Sequence, residues 1–218
     1  MDFRDDHFAI SSDMFDGQSS YFFDYHSELV FGDASKNYLF NDKGRHQVKI
    51  NCDENSRLLF SEEKDKCEIS VWSNELIRKP QILIKPDWYG LSKVIFNNVF
   101  CRTDATISVI SSGVKEKLII KEKADGYYFG FKIKYKNVTP IFNAKENRLD
   151  FVCCETSQKQ FFVNAPFMSD SKNELSQNIV TNIQIISDNE MLLTVIPDCM
   201  WLNAPERKFP VELNYKFQ

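Results

Sequence analysis

The chain has 218 residues, 43% of them hydrophobic and 14% aromatic, enough to fill one large core or two small ones and too apolar for a disordered chain. Seven glycines against 19 phenylalanines favour strands over helices and low-complexity linkers. The net charge of −4 supplies no overall basic field and no nucleic-acid motif is visible, so nucleic acid is not expected as a partner.

The start, Met1 to His7, has no positive region leading into an apolar core, so no secretory signal is read there. No apolar run approaches the roughly 18 residues of a membrane span, and the chain is expected to be soluble or peripherally attached. Residues 1–43 differ in character from the rest of the chain and are expected to form an N-terminal extension or arm. Their aromatic cluster, Tyr21, Phe22, Phe23 and Tyr25, is a candidate assembly surface that docks on a neighbour by strand addition. Asp5, Asp6 and His7 are consecutive and do not converge as metal ligands do, so neither metal nor cofactor is expected.

From Arg45 the pattern alternates with a period of two, and residues 44–218 are expected to form a β-sandwich-like domain. His46 to Cys52, Arg57 to Phe60 and Cys67 to Trp72 read as meander strands, and Gln81 to Lys85 as another before the turn Pro86 to Gly90. Trp88 and Tyr89 in that turn, with Trp72, are candidate stacking residues for a sugar ring; the competing reading makes them anchors at the core rim. Val94 to Phe100, Ala105 to Ser111 and Lys117 to Lys121 are three further strands, with Ser112 and Gly113 as turn residues. The clearest alternation sets Tyr127, Phe129, Phe131, Ile133 and Tyr135 on one face and Lys132, Lys134 and Lys136 on the other, one face buried and one wet.

Leu149 to Cys154 and Gln160 to Val163 form one expected hairpin, and Val180 to Ile186 with Met191 to Ile196 another. The second pair is apolar on both faces, as inner strands covered by a second sheet are. No helical period is sustained, and the expected architecture is all-β: an antiparallel two-sheet β-sandwich, or a larger stacked-sheet variant, with an N-terminal extension. Cys153 and Cys154 are adjacent on a strand and point to opposite faces, which argues for free thiols over a disulfide framework.

No phosphate-binding loop, dinucleotide fingerprint, zinc-protease helix, nucleophile elbow or paired C-x-x-C occurs, and the adjacent acids, such as Glu62 with Glu63, sit in charged surface runs. No catalytic residue is therefore assigned.

The C-terminal part carries the motifs Asn164-Ala165-Pro166-Phe167-Met168-Ser169-Asp170 and Pro197-Asp198-Cys199-Met200-Trp201-Leu202-Asn203-Ala204-Pro205-Glu206-Arg207-Lys208-Phe209-Pro210-Val211. With Val99 to Lys121 before them, they resemble the β-rich domain that precedes DNRLRE modules and occurs in wall-associated and Rhs-repeat surface proteins of bacteria. Pro166, Phe167, Asp198, Trp201, Pro205, Arg207 and Pro210 are the matching structural positions, and Trp201 is expected in the core between the sheets. In the first motif Cys101-Arg102 replaces the family's Pro-Gly.

The resemblance implies a structural β domain of cell-surface or toxin-delivery proteins with no catalytic residues to carry over. With the lack of reactive motifs and the aromatic N-terminal segment, the chain is expected to be a non-enzymatic structural or interaction module of a bacterial cell-surface, filament or phage-like assembly. Self-association or partner chains would be its contacts, and a non-Sec route its way to the surface. The alternatives are a carbohydrate-binding module, with cell-surface polysaccharide as partner, a polysaccharide lyase or hydrolase on a β-sandwich, and a cytoplasmic location.

Overall fold

A computed structural model describes residues 29–31, 38–41, 47–51, 58–62, 66–73, 82–86, 92–110 and 113–218. The early strands are β1 (Val30–Phe31), β2 (Tyr38–Asn41), β3 (Gln47–Asn51), β4 (Leu58–Glu62), β5 (Cys67–Ser73) and β6 (Ile82–Pro86). The middle of the chain gives β7 (Ser92–Phe100), β8 (Thr103–Ile110), β9 (Gly113–Ile120), β10 (Phe129–Lys136), β11 (Val138–Asn143), β12 (Arg148–Cys153) and β13 (Lys159–Val163). The end gives β14 (Phe167–Ser169), β15 (Leu175–Ser176), β16 (Ile179–Ser187), β17 (Glu190–Pro197), the short helix α1 (Cys199–Asn203) and β18 (Val211–Phe217).

Two antiparallel sheets pack face to face, as the alternation requires. The first runs β1-β2-β3-β4-β5-β10-β17-β16, and the second β11-β12-β13-β18-β9-β8-β7-β6, with β14 and β15 attached beside β18. On β10, Phe129, Phe131, Ile133 and Tyr135 are buried while Lys134 and Lys136 are exposed. Rings tie the layers together. Phe100 of β7 meets Phe129 and Phe131 of β10 edge-on at 5.0 and 5.6 Å, and Phe131 meets Tyr215 of β18 at 5.5 Å. Burying one such ring stabilises the sandwich by roughly 1.5–3 kcal/mol.

The chain changes sheets with little connecting length. Between β10 and β11 a single residue, Asn137, makes the corner in the left-handed region (φ 56°), which asparagine tolerates better than most residues. Its side-chain amide donates to the Lys66 carbonyl at 3.0 Å, and its own carbonyl accepts the Cys154 amide at 3.0 Å. The strand β11 is absent from the sequence-based expectation because Pro140 interrupts its pattern. It sits at the sheet's edge, where a missing N–H is harmless.

Three further expectations are corrected. The hairpin β16–β17 forms, but only β17 is an inner strand. β16 is an edge strand, with Val180, Ile185 and Ile186 exposed. Trp201 does not lie between the sheets: it sits on α1, half-buried against the rim of the core. The strand expected from Lys117 begins at Gly113, which brings Glu116 into it. Of the five described cysteines, all free, Cys67 and Cys153 are buried and Cys101 and Cys154 exposed.

β1 and β2 fall within the 1–43 segment and pair onto β3 at the far edge of the first sheet.

Gly113 opens β9 at φ +146°, and a Cβ there would collide with the Phe217 carbonyl oxygen of β18. Gly113→Ala is therefore expected to lower unfolding stability by more than about 1 kcal/mol. Urea titration would show it, and an unchanged midpoint would mean the two strands can part without loss.

Candidate functional site

Tyr21, Phe22, Phe23 and Tyr25, and with them Trp88 and Tyr89, lie outside the described residues. Trp72 lies on β5 opposite Lys132 of β10. Of the motif residues, Arg207 meets Trp201 and, with it, a residue absent from the expected site set, Asp170. Asp170 is 4% exposed. Its Oδ1 accepts the amides of Lys172 and Glu174 at 2.9 and 3.0 Å, and its Oδ2 accepts the Lys208 amide at 3.2 Å and Arg207 Nη1 at 3.0 Å. Burial pushes the Asp170 pKa up, but those amides and Arg207 outweigh it and hold the carboxyl below the usual range.

Arg207 also stacks on Trp201 with its guanidinium carbon 3.6 Å from the ring centre, and donates from Nε to the Trp201 carbonyl at 3.1 Å. Asp198 caps α1 by accepting the Met200 and Trp201 amides. Phe167 stays exposed while Pro166 is buried; Pro205 and Pro210 are exposed. Both carboxylate oxygens of Asp170 are engaged within the protein. This cluster is a clamp that ties α1 and the approach to β18 to the turn after β14.

Inside the sandwich the alternation of β9, Val114, Glu116, Leu118 and Ile120, points a carboxyl at the core. Glu116 is 7% exposed and lies directly opposite Tyr215 of β18. Burial pushes its pKa up to about 7, opposed by the neighbouring Tyr215 hydroxyl. Burial and the Glu116 charge push the Tyr215 phenol well above its ordinary range. That hydroxyl closes no well-formed hydrogen bond.

Tyr215 also lines a cleft with Thr181 of β16, Asn164 and Leu193 of β17 among its other walls, and the Thr181 hydroxyl is likewise buried without a partner. The cleft holds about 20 Å³, room for one water. A nucleotide or sugar does not fit there. Glu116 is not one of the cleft's walls, and its own burial in the sandwich keeps it from a macromolecular substrate.

The outer face of the second sheet differs in charge. The register pairs Lys93 of β7 with Ser108 of β8, Ser108 with Lys115 of β9, and Lys115 with Lys216 of β18, so three lysines stand in one row across four strands. Lys117 stands one step along β9 and is paired with Glu212. Asp104, on the same face of β8, is paired with Lys121 at 2.6 Å. The two carboxylates nearest the row are thus engaged, and no ion pair involves Lys93, Lys115 or Lys216 among the described residues. The Lys115 ammonium is held below its ordinary pKa, first by partial burial and then by Lys117 and Lys216; Glu212 works the other way and Lys93 adds a smaller lowering. Like charges crowd on this face.

Beyond Lys216, Phe162 of β13 carries Lys159 Nζ at 4.7 Å and the Arg148 guanidinium carbon at 5.4 Å from its ring centre, and both cations are paired with Asp150 of β12, Arg148 Nε at 2.7 Å and Lys159 Nζ at 3.9 Å. Among the described residues no group of three or more His, Cys, Asp or Glu side chains is placed to hold a metal ion. No described helix is long and apolar enough to cross a membrane.

No family model matches the chain. It is 31% identical over 129 residues to the tRNA3(Ser)-specific nuclease WapA of Bacillus spizizenii, and 29% identical over 129 residues to the tRNA(Glu)-specific nuclease WapA of Bacillus subtilis subsp. natto. Each match covers 56% of this chain and 5% of the relative, so the chain spans a small part of the proteins it resembles. Both names are those of enzymes acting on RNA. They overturn the expectation of a non-enzymatic structural or interaction module, together with its carbohydrate-binding and polysaccharide-cleaving alternatives.

Proposed function

We propose that this chain serves a nuclease-type function with tRNA as its substrate class. The observation that carries the proposal is the similarity over 129 residues to two proteins named as tRNA-specific nucleases. The lysine face supports it, because an RNA substrate has to be held against its own charge before any phosphodiester can be cut. The buried Glu116 and the Asp170 clamp are assigned no step of the cleavage, since one is enclosed and the other saturated.

End-labelled tRNA incubated with the purified chain is expected to yield discrete fragments, resolved on a denaturing gel. A mock preparation from cells that lack the chain, purified in the same way, controls for contaminating ribonuclease. Intact tRNA after prolonged incubation, at every divalent-ion condition tried, would remove the proposal.

A further inference from the structure

We infer that the outer face of the second sheet, through the row Lys93, Lys115 and Lys216, holds RNA by its phosphates without reading its bases. This rests on the nuclease reading and deepens it by naming the surface and the part of the substrate that surface touches.

The geometry comes first. Neighbouring strands are spaced by about 4.8 Å, so the three steps from β7 to β18 set Lys93 and Lys216 roughly 14 Å apart, the reach of a few consecutive nucleotides. Between them the row presents Ser108 and the half-buried Lys115, and the carboxylates of this face, Glu212, Asp104 and Asp150 of β12, are already bound to Lys117, Lys121 and Arg148. Lysine is a flexible point charge with three donors and no fork, suited to a phosphate oxygen more than to the two-pronged reading of a base edge.

The crowding has a direction too. A fold that holds ammonium groups together beside carboxylates already paired to other lysines is relieved by a polyanion that lies along them. Displacement of small counterions then makes binding fall steeply with salt. Net charge gives no hint of this, because −4 is a sum over the whole chain whereas the row is local. A surface of this kind gives affinity without selectivity, so the choice among tRNAs is made by other residues.

The test measures binding of the full chain to tRNA and to a length-matched RNA of scrambled sequence, by fluorescence anisotropy over a range of salt. The triple variant Lys93→Gln, Lys115→Gln, Lys216→Gln is compared with a control triple, Lys136→Gln, Lys145→Gln, Lys172→Gln. The control removes the same charge from exposed positions elsewhere. Circular dichroism melting confirms that each variant is folded.

The wild type is expected to bind both RNAs about equally. The row variant should lose about tenfold or more on both, with a slope of log affinity against log salt shallower by about 2 for three lost contacts, while the control keeps most of its affinity. An unchanged row variant, or a control that loses as much, overturns the inference. So does a wild-type preference for tRNA that the row variant abolishes. If the wild type cuts tRNA while the row variant binds as before, the inference alone falls. If the wild type neither binds nor cuts, the nuclease reading falls first and takes the inference with it.

Discussion

Replacing Asp170 by alanine is expected to lower unfolding stability by about 3–5 kcal/mol, the cost of leaving a buried partner charge without its counter-ion. Arg207 is 8% exposed, and the Asp170 carboxylate is its only ion-pair partner among the described residues. The same substitution strips the acceptor from the amides of Lys172, Glu174 and Lys208, which shape the turn between β14 and β15 and the approach to β18. Asp170→Asn keeps an acceptor of the same shape and should lose less. Arg207→Met, which removes the other charge but leaves an aliphatic stem against Trp201, should also lose less than Asp170→Ala. Urea denaturation of the three variants ranks them; a loss below about 1 kcal/mol for Asp170→Ala would show that water reaches Arg207 in the folded chain. Trp201, half-buried on α1, belongs to the same unit. Its truncation is therefore read through the clamp and not through the core between the sheets.

The second large effect is a pH dependence. Glu116 has a folded pKa of about 7 against an ordinary 4.5, so the folded chain holds a proton through that window that the unfolded chain has released. Stability contributed by the neutral carboxyl is fully present below about pH 4.5, declines as the pH rises, and is gone above about 7. At roughly 1.4 kcal/mol per pKa unit the difference is on the order of 3 kcal/mol. Glu116→Gln stays neutral at every pH. It should match the wild type near pH 4.5 and exceed it by a few kcal/mol at pH 8, measured as urea midpoints over a pH series. Parallel curves for the two proteins would mean that Glu116 is hydrated in the folded state. Asp170, whose pKa is lowered, works the other way: its stabilisation is present above the ordinary aspartate value and is lost as the pH falls below it. Wild-type stability should thus be greatest in the mildly acidic range, between the two.

Much of the fold is legible in the sequence because the signals are local. The run Tyr127 to Lys136 alternates over more than a full strand, and the structure buries Phe129, Phe131, Ile133 and Tyr135 as that period requires. Both hairpins, β12–β13 and β16–β17, have polar loops of a few residues between apolar runs, and the register pairs them accordingly. The adjacent thiols Cys153 and Cys154 divide between inside and outside for the same reason. Expectation and structure part where a local cue conflicts with position in the sheet. Pro140 has the look of a break because it cannot donate to a ladder, yet on an edge strand no ladder is broken. β16 has the look of an inner strand because it is apolar on both faces, and nothing in its own residues says that β17 is its one neighbour.

The candidate site is far less legible. Asp170 ends the motif that begins at Asn164, but a single acid after Phe167-Met168-Ser169 looks like any surface acid until Arg207 is brought to it. Glu116 escapes notice when the strand is started four residues late, at Lys117. With the start at Gly113, the phase of Val114, Leu118 and Ile120 places it inward. The lysine row is not legible at all, since Lys115 lies outside the expected strand and Lys93 and Lys216 are far from it along the chain.

The sequence by itself determined which segments are strands and which face of most of them is buried, since a period of two and the chemistry of turns act between residues a few positions apart. Only the tertiary structure decided which strands became neighbours. That order sets β18 between β13 and β9, brings Lys216 beside Lys115 and into line with Lys93, and faces Tyr215 with Glu116. Strand order is chosen by the packing of whole faces and by the connections that remain possible. No local pattern along the chain encodes it.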